Sequence, residues 1–143
     1  MPPPPKPTVV VIGAGFAGLG CCRHLCGRCK VVLIDAKEYF EYTPGICRAY
    51  VDPEEQRKLA FHYVGACHKM GVEFVWGEVK RVDPAVKLVE VKEVACKQRT
   101  QYRFDYLLCA NGSQYGLYMA HRKMPSNPEE CLWYPTFLEK AIL

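Results

Sequence analysis

The chain has 143 residues, half of them hydrophobic and 24% charged, which suits one folded domain and excludes both a disordered tail and two full-sized domains. Its net charge of +4 comes from 19 basic and 15 acidic residues interleaved along the chain. No basic stripe therefore points to nucleic acid, and any anion site has to come from backbone geometry.

Nine cysteines, an odd number at irregular spacing, follow an N-terminus "MPPPPKP" that carries no apolar leader. That combination predicts a reduced intracellular protein, cytoplasmic or mitochondrial and not secreted, with most thiols serving as small core residues. The least polar run, Val9 to Cys22, falls short of the roughly 20 residues of a membrane-spanning helix, so no transmembrane segment is expected.

Residues 1–7 read as a flexible proline-rich tail. A strand starts near Thr8, and "VVVIGAGFAGLG" runs from it into Gly13, Gly15 and Gly18 and then a short helix from Phe16 to about Gly27. "KVVLIDA" is a second strand without polar relief, as strands covered on both faces are. Strand, helix and strand form one βαβ unit with a right-handed crossover.

"EYFEYTPGICRAYV" reads as a loop. One helix is then expected from Asp52 to Met70: Asp52 as cap, Pro53 at the first position, Glu55 completing a capping box, Ala60, Tyr63, Val64, Cys67 and Met70 at helical spacing, and Gly71 as terminator. "VEFVWGEVKRV", "AVKLVEVKEV" and "YRFDYLLCA" are three strands of an antiparallel meander. Residues 114–143 read as a loop and the start of a connecting helix in "TFLEKAIL".

The glycines divide the work of a dinucleotide turn: Gly13 for the tight bend, Gly15 for close approach of phosphate, Gly18 for helix-on-strand packing. Amides of Phe16 and Ala17 at the helix start suit a pyrophosphate. Asp35 closes the second strand 20 residues past Gly15, where a carboxylate accepts hydrogen bonds from ribose hydroxyls and repels a 2′-phosphate. The "CGRC" pair, Cys26 and Cys29, lacks the partners zinc needs and lies at the far end of the helix, so chance clustering is the expectation and no metal site is assigned. His62 and His68, six apart on the expected helix, do not share a face and are expected to be solvated. Tyr39, Phe40, Tyr42 and Tyr50 suit either a flavin surround or, more commonly, a core edge.

A βαβ unit alone does not separate NAD from FAD. The meander followed by "FDYLLCANGSQY" resembles the FAD domain of two-dinucleotide-binding flavoprotein oxidoreductases, in which a similar segment reads "YDYLVIATGS". The fold this implies is α/β, a Rossmann-like FAD/NAD(P)-binding domain over residues 8–113, with a parallel sheet carrying a three-stranded antiparallel β-meander. By the same resemblance the backbone of Val79 meets the adenine, and Ala110 in the "ANGS" segment is a cofactor-binding position. Asn111 departs from the threonine usual there. Disulfide reductases of the superfamily carry a C-x-x-x-x-C pair after this loop, whereas Cys47 stands alone.

The "TPGICRA" loop is similar instead to those of type II NADH dehydrogenases and the apoptosis-inducing-factor-like quinone reductases, also called ferroptosis suppressors. Arg48 inherits a contact with FAD from a similar "LRA" segment, and Thr43 and Pro44 lie towards the flavin ring. The implied activity is FAD-dependent oxidation of NAD(P)H with electrons passed to a quinone or similar acceptor. No residue of this chain is assigned as catalytic, because the chemistry belongs to the cofactor. Such enzymes run to several hundred residues, so the chain corresponds to a first third, with the NAD(P)H domain and a C-terminal partner domain expected elsewhere. The alternatives are a non-catalytic adenine-dinucleotide-binding remnant or interaction module, and a flavin monooxygenase relative.

Overall fold

In a computed structural model that describes residues 4–56 and 58–112, Thr8–Ile12 forms β1 and Lys30–Asp35 forms β2, joined by helix α1 over Phe16–Leu25. Val9, Val10 and Val11 are buried, as are Val31 to Ile34, because both strands are covered on both faces. Strand β5 (Glu73–Asp83) pairs parallel with β2, and β8 (Tyr106–Cys109) pairs parallel with β1. From Gly77 onward β5 pairs antiparallel with β6 (Leu88–Glu93), which pairs with β7 (Arg99–Arg103). The six-stranded sheet has the order β7-β6-β5-β2-β1-β8, a parallel sheet extended by a three-stranded antiparallel meander, as expected for a Rossmann-like α/β fold.

Val10, Val32, Ile34, Val75, Val89, Val91 and Phe104 form one buried cluster, so the meander shares its core with the parallel strands. Each such aliphatic side chain contributes about 1.5–3 kcal/mol on burial. In the meander, hydrogen bonding from Thr100 and from the Tyr102 hydroxyl, which donates to Glu93 at 2.8 Å, holds the Glu93 carboxyl below its ordinary range.

The described residues fall into two compact units, the first made of 4–36 and 64–112, the second of 37–63. The second contains β3 (Tyr39–Glu41) paired antiparallel with β4 (Ala60–His62), a 3-10 turn over Thr43–Gly45, and two short helices, α2 (Ile46–Val51) and α3 (Pro53–Gln56). Phe40 and Phe61 stack across the pair with centroids 4.9 Å apart, and Phe61 meets Tyr63 edge-on at 6.4 Å. Helix α4 (Tyr63–Met70) comes next.

Three expectations are corrected by this arrangement. The segment 39–51 is not a loop but strand, turn and helix, with the Tyr42 amide bonded to the Leu59 carbonyl at 2.8 Å. The helix expected from Asp52 to Met70 is two helices separated by β4, because Ala60, Phe61 and His62 pair with Glu41, Phe40 and Tyr39. Asp52 caps the first helix through the Glu54 amide at 3.0 Å, but Glu55 pairs with Lys58 instead of closing a capping box. Gly71 does end α4, at φ +66°, with the Val72 amide bonded back to the Cys67 carbonyl at 2.9 Å.

The third correction concerns "YRFDYLLCA", which is not one strand. Asp105 takes the Thr8 amide on its Oδ2 at 2.7 Å and gives its own amide to the Thr8 carbonyl at 2.8 Å. That exchange breaks the run between β7 in the meander and β8 beside β1. His62 and His68, consequently, lie on different elements, and both are exposed as expected.

The cysteines also differ from expectation, since only Cys22 and Cys67 of the eight described are buried. Composition registers a thiol's preference for the interior but not its position on an exposed face. Cys26 donates to the Arg23 carbonyl at 3.1 Å, and no group of residues suited to a metal ion occurs among the described residues. Burial pushes the Cys22 thiol up to about 12, with Cys67 nearby adding to the shift, and raises Cys67 as well. A thiol-alkylating reagent applied to the native protein is therefore expected to modify Cys47, Cys96 and Cys109 at least about tenfold faster than Cys22 or Cys67. Mass-spectrometric mapping of the labelled sites checks this, and equal rates would contradict it.

No described helix is long and apolar enough to cross a membrane. The expected tail elements, with His121 and Cys131, lie outside the described residues, and the side chain of Tyr50 does too.

Candidate functional site

The site is built where β1 stops. The Gly13 amide bonds to the Ile34 carbonyl at 2.8 Å, carrying the β1 to β2 contact one residue past the strand, and Gly13 then turns with φ +96°. A Cβ there would stand 2.6 Å from the Ala110 carbonyl carbon and 2.7 Å from the Asn111 Cα. Ala110 is fixed in that place by its amide, which bonds to the Ile12 carbonyl at 2.7 Å. Gly13 is thus required twice, by its φ and by the segment after β8.

Gly18 meets the other side of the same turn. Its Cβ would overlap the Gly13 carbonyl oxygen and lie 2.9 Å from the carbonyl carbon, with Val11 Cγ1 further off at 3.6 Å. The packing need expected of Gly18 is therefore mainly helix against turn, and only secondarily helix against strand.

Gly15 differs from both. It caps α1 at φ −67° and ψ −165°, extended backbone open to any residue, and a Cβ would meet nothing within 4 Å. Packing among the described residues gives no reason for glycine at this point. A glycine in open backbone at the exposed start of a helix suits the close approach of a ligand.

The first bond of the helix ladder runs from the Leu19 amide to the Gly15 carbonyl at 2.9 Å, so the amides of Ala17 and Gly18 precede it. Gly15, Phe16 and Ala17 are all exposed. The first turn contains no acidic residue and no side-chain cap, while Arg23 and His24 stand in the last turn. The exposed positive end of the helix thus has no acidic residue in its own first turn, a setting that suits an anion.

Asp35 ends β2, half-buried, and its Oδ2 accepts the amide of buried Ala14 at 2.6 Å. The carboxylate is therefore both an acceptor at the site and a strut of the glycine turn. Sequence reasoning did not find Ala14, because a backbone amide leaves no mark in residue type. It also missed Trp76, which sits opposite Asp35 in the β2–β5 register and donates its indole N–H to the Ala36 carbonyl at 3.0 Å. Its only signal was an unusually large residue at the end of a parallel pairing.

Val79 is half-buried on β5, three residues beyond the last pairing with β2 at Trp76, and the β5–β6 register slips between Val79 and Arg81. Gly13, Gly15, Phe16, Ala17, Gly18, Asp35, Val79 and Ala110 all belong to the first unit. Thr43, Pro44 and Arg48 belong to the second. There Thr43 and Pro44 are exposed on the 3-10 turn, which buried Gly45 anchors against Tyr42 and Leu59. Arg48 is exposed in the last turn of α2, with its carbonyl taken by the Asp52 amide at 2.9 Å.

Comparison with known proteins agrees with this geometry. Residues 7–127 match the family described as pyridine nucleotide-disulphide oxidoreductase. Apoptosis-inducing factor homolog B of Dictyostelium discoideum is 31% identical over 109 residues, which cover 76% of this chain and 26% of that protein. The sulfide-quinone reductase of Aquifex aeolicus is 25% identical over 107 residues, 73% of this chain and 24% of that one. The chain thus spans about a quarter of the length of these curated relatives.

Among solved structures, that of the Aquifex aeolicus sulfide:quinone oxidoreductase superposes with a TM-score of 0.72 at 22% identity, over 95% of this chain and 32% of the other. NDH2 from Plasmodium falciparum, solved in complex with NADH, superposes with 0.75 at 16% identity, over 96% and 30%. At these identities the likeness is one of fold. The match over residues 7–127 makes this chain, with its glycine turn, acid at the end of β2 and meander, a member of the pyridine nucleotide-disulphide oxidoreductase family, whose members are FAD-dependent.

Proposed function

We propose that this chain is the adenosine-diphosphate-binding part of the FAD domain of an NAD(P)H oxidoreductase that delivers electrons to a quinone or similar acceptor. The observation that carries this reading is Gly15, a glycine that packing among the described residues does not need, placed at the start of α1, whose first turn has no acidic residue. The residues fit FAD on that ground. FAD when bound supplies the two-electron chemistry, and the protein supplies position and electrostatics.

Within this reading the amides of Phe16 and Ala17 hold the pyrophosphate against the positive end of the helix. Asp35, with Oδ2 already on Ala14, presents its carboxylate to the ribose hydroxyls and disfavours a 2′-phosphate by charge. The Val79 backbone, past the end of the β2 pairing, receives the adenine edge. Ala110 sets the turn by backing Gly13. Thr43, Pro44 and Arg48 are proposed as contacts of the flavin end. The NAD(P)H site and the quinone site belong to the larger enzyme of which relatives about three times this length are the pattern.

Isothermal titration of the purified chain with ADP and with FAD tests the proposal. Asp35→Ala is expected to weaken both by roughly ten- to a hundredfold, the worth of hydrogen bonds to a charged group. Unchanged affinity would sink the assignment. The second reading is a dinucleotide-binding module without turnover. A chain that binds ADP yet stays colourless with FAD present supports it over the enzyme.

A further inference from the structure

The carboxylate of Asp35 has to be held at one place to serve a ribose, and the strand it ends stops there. Beyond Asp35 the sheet register gives no further support, since Asp35↔Trp76 is the last pair between β2 and β5. Ala36, the residue after the acid, is exposed, and its carbonyl takes the indole N–H of Trp76 at 3.0 Å. Trp76 is itself anchored from the other side: its carbonyl accepts the Val94 amide at 3.0 Å, and its neighbour Gly77 lies so close to β6 that a Cβ would stand 2.5 Å from Val91 Cγ1. The indole therefore extends from a part of β5 locked to the meander and clamps the backbone just after the acid.

We propose that Trp76 is a positioning residue for the nucleotide site, acting through Ala36 to hold the Asp35 carboxylate where it meets both Ala14 and the ribose. The proposal rests on the nucleotide reading above. It makes a chain of named contacts: Val94 and Gly77 fix Trp76, Trp76 fixes Ala36, and Asp35 next to it fixes the Ala14 amide at 2.6 Å. Removal of the indole N–H releases the end of β2 without removing the carboxylate, so its effect passes through Asp35 and not through a contact of its own with the ligand.

The full chain carrying Trp76→Phe, which keeps an aromatic ring and loses the donor, tests this in two measurements. In the nucleotide-free protein, amide hydrogen exchange at Ala14 is expected to quicken by roughly fivefold, with Gly13 unaffected because its partner is the Ile34 carbonyl. In calorimetric titration with ADP, Trp76→Phe is expected to weaken binding by roughly fivefold, and to change nothing further when added to Asp35→Ala. Should Trp76→Phe not fold, Trp76→Leu, which also lacks the donor, goes through the same two measurements with the same expected signs.

An unchanged Ala14 exchange rate overturns the proposal. So do losses from Trp76 and Asp35 that simply add, because they would make the indole an independent ligand contact. Failure of the wild-type chain to bind ADP at all would instead overturn the nucleotide reading, and the Ala14 rate would still decide whether Trp76 holds the acid.

Discussion

Alanine at Gly18 is expected to cost the protein about 3 kcal/mol or more, lowering its melting temperature by about 10 °C. The added methyl has no room, since it would overlap the carbonyl oxygen of Gly13. Neither party can give way cheaply. Gly13 is held on its other side by the Ala110 segment and by the bond from its amide to Ile34, and Gly18 is inside a helix whose ladder begins one residue later. Relief requires α1 to lift off the turn, which uncovers Val11 and Cys22, both fully buried. A melt within about 2 °C of wild type, followed by calorimetry, would show that the turn yields and that this packing account is mistaken.

Valine at Gly15 is expected to do the reverse. Its φ and ψ are open to β-branched residues and its Cβ meets nothing, so stability should stay within about 1 kcal/mol, the scale of an N-cap exchange. Affinity for ADP and FAD is expected to fall by at least about a hundredfold, because the isopropyl group occupies the space over the helix amides. The two glycines lie three residues apart, yet one variant should lose stability and the other its ligand. Melting curves and calorimetric titration on the same pair of preparations separate these outcomes. A Gly15→Val protein that binds nucleotide normally would place the diphosphate elsewhere.

The contrast between Gly15 and Gly18 shows what the sequence could and could not disclose. The order of β1, turn, α1 and β2 was legible because it is local: unbroken apolar strands, three glycines at fixed offsets and an acid at a strand end all declare themselves within 28 residues. The meander was legible from alternation. What failed was decided by partners distant in the chain. Ala60 to His62 fit a helical spacing, and only pairing with β3 some 20 residues earlier makes them a strand. "YRFDYLLCA" has neither glycine nor proline to break it, and the break comes from Thr8, 97 residues away. Within the site, the roles of Ala14 and Trp76 rest on a backbone amide and a carbonyl, groups that every residue possesses and no residue letter distinguishes.

The parallel seat of β8 against β1 has a consequence for how the chain is made. β1 leaves the ribosome before the other strands described, and the strand that closes its second edge leaves after them, so one side of β1 stays open until Tyr106–Cys109 has been synthesised. Contacts of such separation are slow to form and leave apolar surface open in the interval. The backing for Gly13 arrives with that late strand, and a nascent chain interrupted before Ala110 would carry the glycine turn without the wall that shapes it.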